Sequence, residues 1–129
     1  DDRTELARAA SHLETGGHLI VLAPAHQWLY SPFDSAIGHF RRYSRPMLGA
    51  IAPPALSLVR LRYLDAVGLC ASAANKVLLR QSLPTARQIA FWDSVMIPIS
   101  RLVDPALGFT AGKSVLAVWQ AYPFLSFRQ

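Results

Sequence analysis

Residues 38–46, GHFRRYSRP, put a histidine, three arginines, two aromatics and a serine into nine positions of a chain that is 52% hydrophobic and 16% charged. A histidine moves protons near neutral pH, and an arginine fork grips a phosphate or carboxylate at two points. His26, Trp28, Tyr30 and Asp34 lie just upstream, so polar and aromatic chemistry is concentrated over residues 26–43. Outside that stretch the candidates thin out. His12, His18, His26, His39 and Cys70 follow no compact ligand spacing, and no metal centre is expected. Cys70 stands in the apolar string VGLCASAA, where an inert buried thiol is expected rather than a nucleophile. A single cysteine also excludes an intrachain disulfide and fits a reducing compartment. Phe91, Trp92 and Trp119 fall at spacings that favour packing in a core.

The 129 residues have the length and composition of one globular domain. The net charge is +5 and the pI is near 10.0. Eleven of the thirteen basic residues are arginine, but only Arg41, Arg42 and Arg45 cluster, so the footprint of a nucleic-acid binder is weak and no nucleic-acid partner is expected. Uncharged runs fall short of the roughly 18 residues a spanning helix needs, and no basic leader precedes an apolar signal core. A cytoplasmic protein with no transmembrane segment and some affinity for apolar surfaces is expected.

Residues 1–17, DDRTELARAASHLETGG, read as a helix with acids at its start and Gly16 or Gly17 closing it. HLIVLAP then has the continuous apolar, branched character of a parallel strand buried on both faces, completing a helix-to-strand unit of an α/β sheet. Residues 24–43 form a long connection at the carboxyl end of that strand, the edge where α/β sheets bind ligands. Ser44 caps a short helix with Pro46 in its first turn, ended by Pro53 and Pro54. LSLVRLRYL alternates as a strand near a sheet edge, with Arg60 and Arg62 on one face. Residues 66–81 and 85–107 read as two apolar helices broken at SLPT and dented by Pro98 and Pro105, and GKSVLAVWQ as a closing strand.

This order resembles the C-terminal half of a class I S-adenosylmethionine-dependent methyltransferase. LARAASHLETGGHLIVLAPA is similar to the family's helix and fifth strand, and LYSPFDSAIGHFRRYSRPML to the segment that follows in one subgroup, where an aspartate and a GH.RRYS string recur in this order. KSVLAVW resembles the seventh, antiparallel strand, while APPALS departs from the Gly-Phe turn common before the sixth. The resemblance implies a Rossmann-like seven-stranded sheet of which residues 1–129 supply strands 5, 6 and 7: helix, strand, substrate loop, helix and strand over 1–64, an apolar helical insertion over 65–109, and the closing strand over 110–120. The family's glycine-rich turn after its first strand has no counterpart here, because Gly16 and Gly17 follow a helix rather than a strand. The N-terminal half that binds S-adenosylmethionine is therefore expected to be missing, and the chain alone to be inactive and dependent on that half or on a partner chain.

For the parent enzyme the resemblance implies methyl transfer to a small-molecule acceptor, apolar or anionic in character. His26, Trp28, Tyr30, Asp34, His39, Arg41, Arg42 and Tyr43 then line the acceptor side. His39 or His26 is the candidate general base, oriented by Asp34. The competing role for His39 is to staple the loop, and for Arg42 to pin it by pairing with Asp34 while Tyr43 packs at the rim. Arg41 and Arg45 are expected to be solvated, and the two apolar helices to form either a lid or a cover for the sheet. Two other functions stay open: a non-catalytic module that completes a partner's sheet, and a basic RNA-binding domain.

Overall fold

The computed structural model describes residues 1–79 and 83–122. Three strands, β1 (His18–Pro24), β2 (Leu56–Leu64) and β3 (Ser114–Ala121), form one sheet in the order β1-β3-β2. β3 runs antiparallel to both neighbours, so β1 and β2 point the same way and the last strand occupies the middle. Helices α1 (Asp2–Ala10), α2 (Pro32–Ala36), α3 (Arg45–Ala50), α4 (Ala66–Ala74), α5 (Ala86–Phe91) and α6 (Ile97–Ala106) complete an α/β arrangement.

One face of the sheet carries the core. Register sets Leu19 opposite Trp119, Val21 opposite Ala117 and Ala23 opposite Val115, and Tyr63 joins from β2. Leu48 of α3 packs against them, and Trp119, the largest of the group, is 0% exposed. The other face is different. Ile20 and Leu22 of β1 are exposed, so the strand expected to be parallel and buried on both faces pairs only antiparallel and packs on one side. Its apolar run is continuous, but its described neighbour is β3 alone and its outer edge has no strand partner among the described residues.

Two further expectations need correction. The first helix ends at Ala10 rather than at the glycines, which leaves His12 in a turn, because Gly16 and Gly17 are claimed by the far end of β3. The Gly16 amide donates to Ala121 O (3.2 Å) and the Ala121 amide to Gly17 O (2.9 Å), with Gly16 at φ +80°. In β2 the alternation is not uniform, since Leu56 and Tyr63 are both buried although seven positions apart. A register shift between Leu58 and Arg60 inserts one residue and moves the core-facing set from even to odd numbers. Beyond it Arg60 and Arg62 share the outer face, as expected, opposite Val118 and Leu116.

The helical segment is interrupted at SLPT, as expected: residues 83–85 are non-helical and Thr85 caps α5. α4 runs on into a π-helical turn at Asn75–Leu79, and another at Trp92–Met96 joins α5 to α6. Pro98 has no N–H for the carbonyl four residues back, and the wider turn just ahead of it absorbs that loss. The end expected for the first of the two helices, at residue 81, and the first residue of SLPT lie outside the described residues. α4 and α6 pack on each other and reach the sheet mainly through β2. They do not spread over it, so Cys70 and Phe91, both expected inside, are exposed, and Trp92 is half-buried. No helix among the described residues is long and apolar enough to cross a membrane.

Candidate functional site

The connection after β1 closes on itself. Tyr43 returns beside the strand end, its amide donating to Pro24 O (2.8 Å) while the His26 amide donates to Tyr43 O (3.0 Å). Residues 26–42 therefore form a compact loop at the carboxyl end of β1, with Ser44 capping α3 behind it through the Met47 amide.

A buried carboxylate organises this loop. Ser31 and Asp34 make a capping box at the start of α2, with Pro32 in its first turn, and Asp34 is 0% exposed. Arg42 donates Nε and Nη2 to Asp34 Oδ2 (both 3.1 Å) and Nη1 to Ala25 O (3.2 Å). Burial by itself raises the Asp34 pKa. The hydrogen bonds from Arg42 and His39, the Arg42 charge and the Ser31 amide outweigh it and hold the carboxyl below its ordinary value. The other carboxylate oxygen faces His39 Nδ1 at 3.3 Å. An ionised carboxylate only accepts, so Nδ1 carries the hydrogen, and in the neutral ring Nε2 is the nitrogen with the lone pair. Nε2 has no protein partner among the described residues, and the ring is partly exposed. Gly38, at φ +80°, turns the chain between α2 and His39. Tyr30 Oη fixes the backbone by donating to His39 O (2.7 Å) and meets Ser35 Oγ at 3.0 Å.

The remaining expected residues fall elsewhere. His26 is not oriented by Asp34: its Nε2 meets the carbonyl of Gly112 at 2.9 Å, and its ring stacks on Tyr63 with centroids 4.8 Å apart. With Nε2 facing a carbonyl and φ at 65°, His26 ties the end of β1 to the start of β3. Trp28 is exposed, and its carbonyl takes the Lys76 ammonium, which also reaches Tyr30 O (3.4 Å). Tyr43 Oη donates to the Asp2 carboxylate, and burial together with that carboxylate pushes its pKa up to about 12. Arg41 meets the same Asp2 at 3.7 Å and is largely exposed. Arg45 is only half exposed and lies over the Tyr63 ring, 4.9 Å from its centroid. A groove of about 210 Å³ opens beside this Tyr43–Asp2 pair and is lined by Leu6, Val21, Ala23, Leu48 and Ile51; it does not include Asp34 or His39.

Lys113 and the aspartates beyond β2 were not anticipated as site residues. The Lys113 ammonium lies over the Trp92 ring, 3.0 Å from its centroid, and the indole donates to Asp65 Oδ2 at 3.1 Å. Burial depresses the Lys113 pKa to about 8; Asp65 and Asp34 oppose this, and Arg42 adds to it. A lone lysine before a strand gives no local signal of such a position, which depends on the 65–109 segment folding back beside β3. No group of three potential metal ligands converges among the described residues. No protein-family model, curated protein or solved structure matches the chain.

Proposed function

We propose that the chain is the acceptor-side part of a class I methyltransferase that transfers a methyl group from S-adenosylmethionine to a small molecule. The observation that carries this reading is the sheet: an antiparallel last strand seated between two strands of common direction, with the GHFRRYS loop at their carboxyl edge. Strands 5 and 6 flanking an antiparallel strand 7 would have this form. The cofactor supplies the methyl group. The residues of this chain do not fit it, because Gly16 and Gly17 lie between a helix and a strand and are bonded to β3. Its binding is assigned to a separate half.

This chain's own contribution is to proton handling. His39 Nε2 accepts the proton of an acceptor O–H or N–H, and the Asp34 carboxylate fixes the tautomer and stabilises the imidazolium. Arg42 holds Asp34 ionised and pins the loop, while Trp28 offers an exposed apolar surface near its mouth.

Calorimetric titration with S-adenosylhomocysteine tests the reading. Binding is expected only when the chain is joined to a glycine-rich strand-turn-helix encoded upstream, and absence of binding in both forms rejects it. The outer edge of β1, which has no strand partner among the described residues, and the exposed Ile20 and Leu22 favour a second reading, a module that completes a partner's sheet without catalysis. Co-purification with a separate chain and no methyl transfer by the complex would establish that alternative.

A further inference from the structure

α6 is built inside out. Its polar residues Ser100 and Asp104 are 2% and 5% exposed, whereas Ile99 and Leu102 are 45% and 78% exposed. The inversion is held by hydrogen bonds. Asp104 accepts the amides of Asp65 (2.7 Å) and Ala66 (2.9 Å) at the start of α4, and Ser100 Oγ donates to Asp65 Oδ1 (2.6 Å). Rolling the apolar side inward would strip these buried groups of their partners, so the outward orientation is fixed. Phe91 and Val95, also exposed, precede Ile99 and Leu102 at steps of four, four and three residues, which makes one stripe along the helix from 86 to 106.

We propose that this stripe seats the protein on an anionic lipid bilayer surface. Among the described residues of the 66–107 segment the exposed charges are Lys76, Arg87, Arg101 and a single acid, Asp93. Asp104 faces inward. An apolar stripe with basic neighbours, backed along α6 by the buried Ser100 and Asp104, suits a helix lying in the headgroup plane, where arginine stems reach anionic lipid while Phe91, Ile99 and Leu102 enter the acyl boundary. The chain's +5 charge works against pairing with a second copy and toward an anionic surface. Lys76 ties the same segment to the carbonyls of Trp28 and Tyr30, so a seated helix holds the candidate site beside the bilayer. This inference does not depend on the methyltransferase reading.

Flotation separates lipid-bound protein, which rises, from aggregate, which sinks. The 129-residue chain is expected to float with vesicles of phosphatidylcholine and phosphatidylglycerol and to float poorly with phosphatidylcholine alone. Leu102→Asp and Ile99→Asp, at exposed positions, abolish flotation while leaving the far-ultraviolet circular dichroism unchanged. Arg87→Glu combined with Arg101→Glu weakens it about thirtyfold. Protein that stays below the vesicle layer, or flotation unaltered by Leu102→Asp, overturns the proposal. So does a self-associated species that Leu102→Asp converts to monomer without any lipid binding, which would make the stripe an interface between copies.

Discussion

Asp34 and Asp104 are both buried carboxylates, yet the first is met by a guanidinium and an imidazole and the second by two backbone amides. The difference follows from where each stands. Asp34 lies in a loop at the carboxyl end of β1, where no long helix supplies amides beyond Ser31 of its own short turn. A charge buried there requires a countercharge brought from elsewhere in the loop. Asp104 faces the first turn of α4, whose amides are unpaired by the geometry of a helix start, and it meets a need the fold already has. One carboxylate shapes a loop and leaves an imidazole nitrogen open. The other joins two helices and leaves nothing exposed.

The largest effect should come from breaking the charged pair. Arg42→Ala strands the Asp34 charge in a buried site and removes the donor to Ala25 O, so a loss of about 3–5 kcal/mol is expected in urea denaturation. Asp104→Ala leaves two buried amides unpaired without stranding a charge. A smaller loss of about 2 kcal/mol is expected there, with Asp104→Asn, which keeps one acceptor oxygen, smaller still at about 1 kcal/mol. If Asp104→Ala proves the more damaging, the loop is not held by its ion pair and the comparison fails. Acid sharpens the same contrast. Because the folded Asp34 pKa lies below its ordinary value of 3.8, its contribution is complete above that value and is lost as pH falls through the folded pKa. Arg42→Ala, measured alongside, should flatten that acid limb.

Legibility in the sequence tracks how local the cause is. The β2 strand and the Ser44-capped α3 were readable because alternation and a serine followed by proline act over a few residues. The pairing of Arg42 with Asp34 was readable as an option because both lie in one loop. The bulge in β2 was not, although two apolar positions of opposite parity, Leu56 and Tyr63, were its trace. Cys70 and Phe91 were assigned to the interior because an apolar helix is ordinarily a covering helix. Here the polar side of α6 is drawn inward by the start of α4, and apolar character no longer marks the buried side. Hydropathy ranks residues by transfer to oil, whereas Ser100 and Asp104 are buried by directed hydrogen bonds from residues more than thirty positions away.

Alkaline titration probes the ground between the two regions. Lys113 feels Asp65 and Asp34 as favourable charges and Arg42 as an unfavourable one, but burial is the largest influence and brings its folded pKa from 10.5 to about 8. Between these two values the unfolded chain binds more protons than the folded one, so stability rises with pH across that window. Tyr43 has the opposite sign. Its folded pKa of about 12 lies above the ordinary 10.0, so its contribution is present below pH 10 and is lost as pH climbs toward 12. The urea midpoint should therefore climb above pH 8 and turn downward above pH 10. Lys113→Met is expected to remove the climb and keep the fall; Tyr43→Phe is expected to remove the Tyr43 part of the fall and keep the climb. A climb that persists in Lys113→Met would mean that the Lys113 ammonium over Trp92 is not its source and that the folded Lys113 pKa is not depressed by burial.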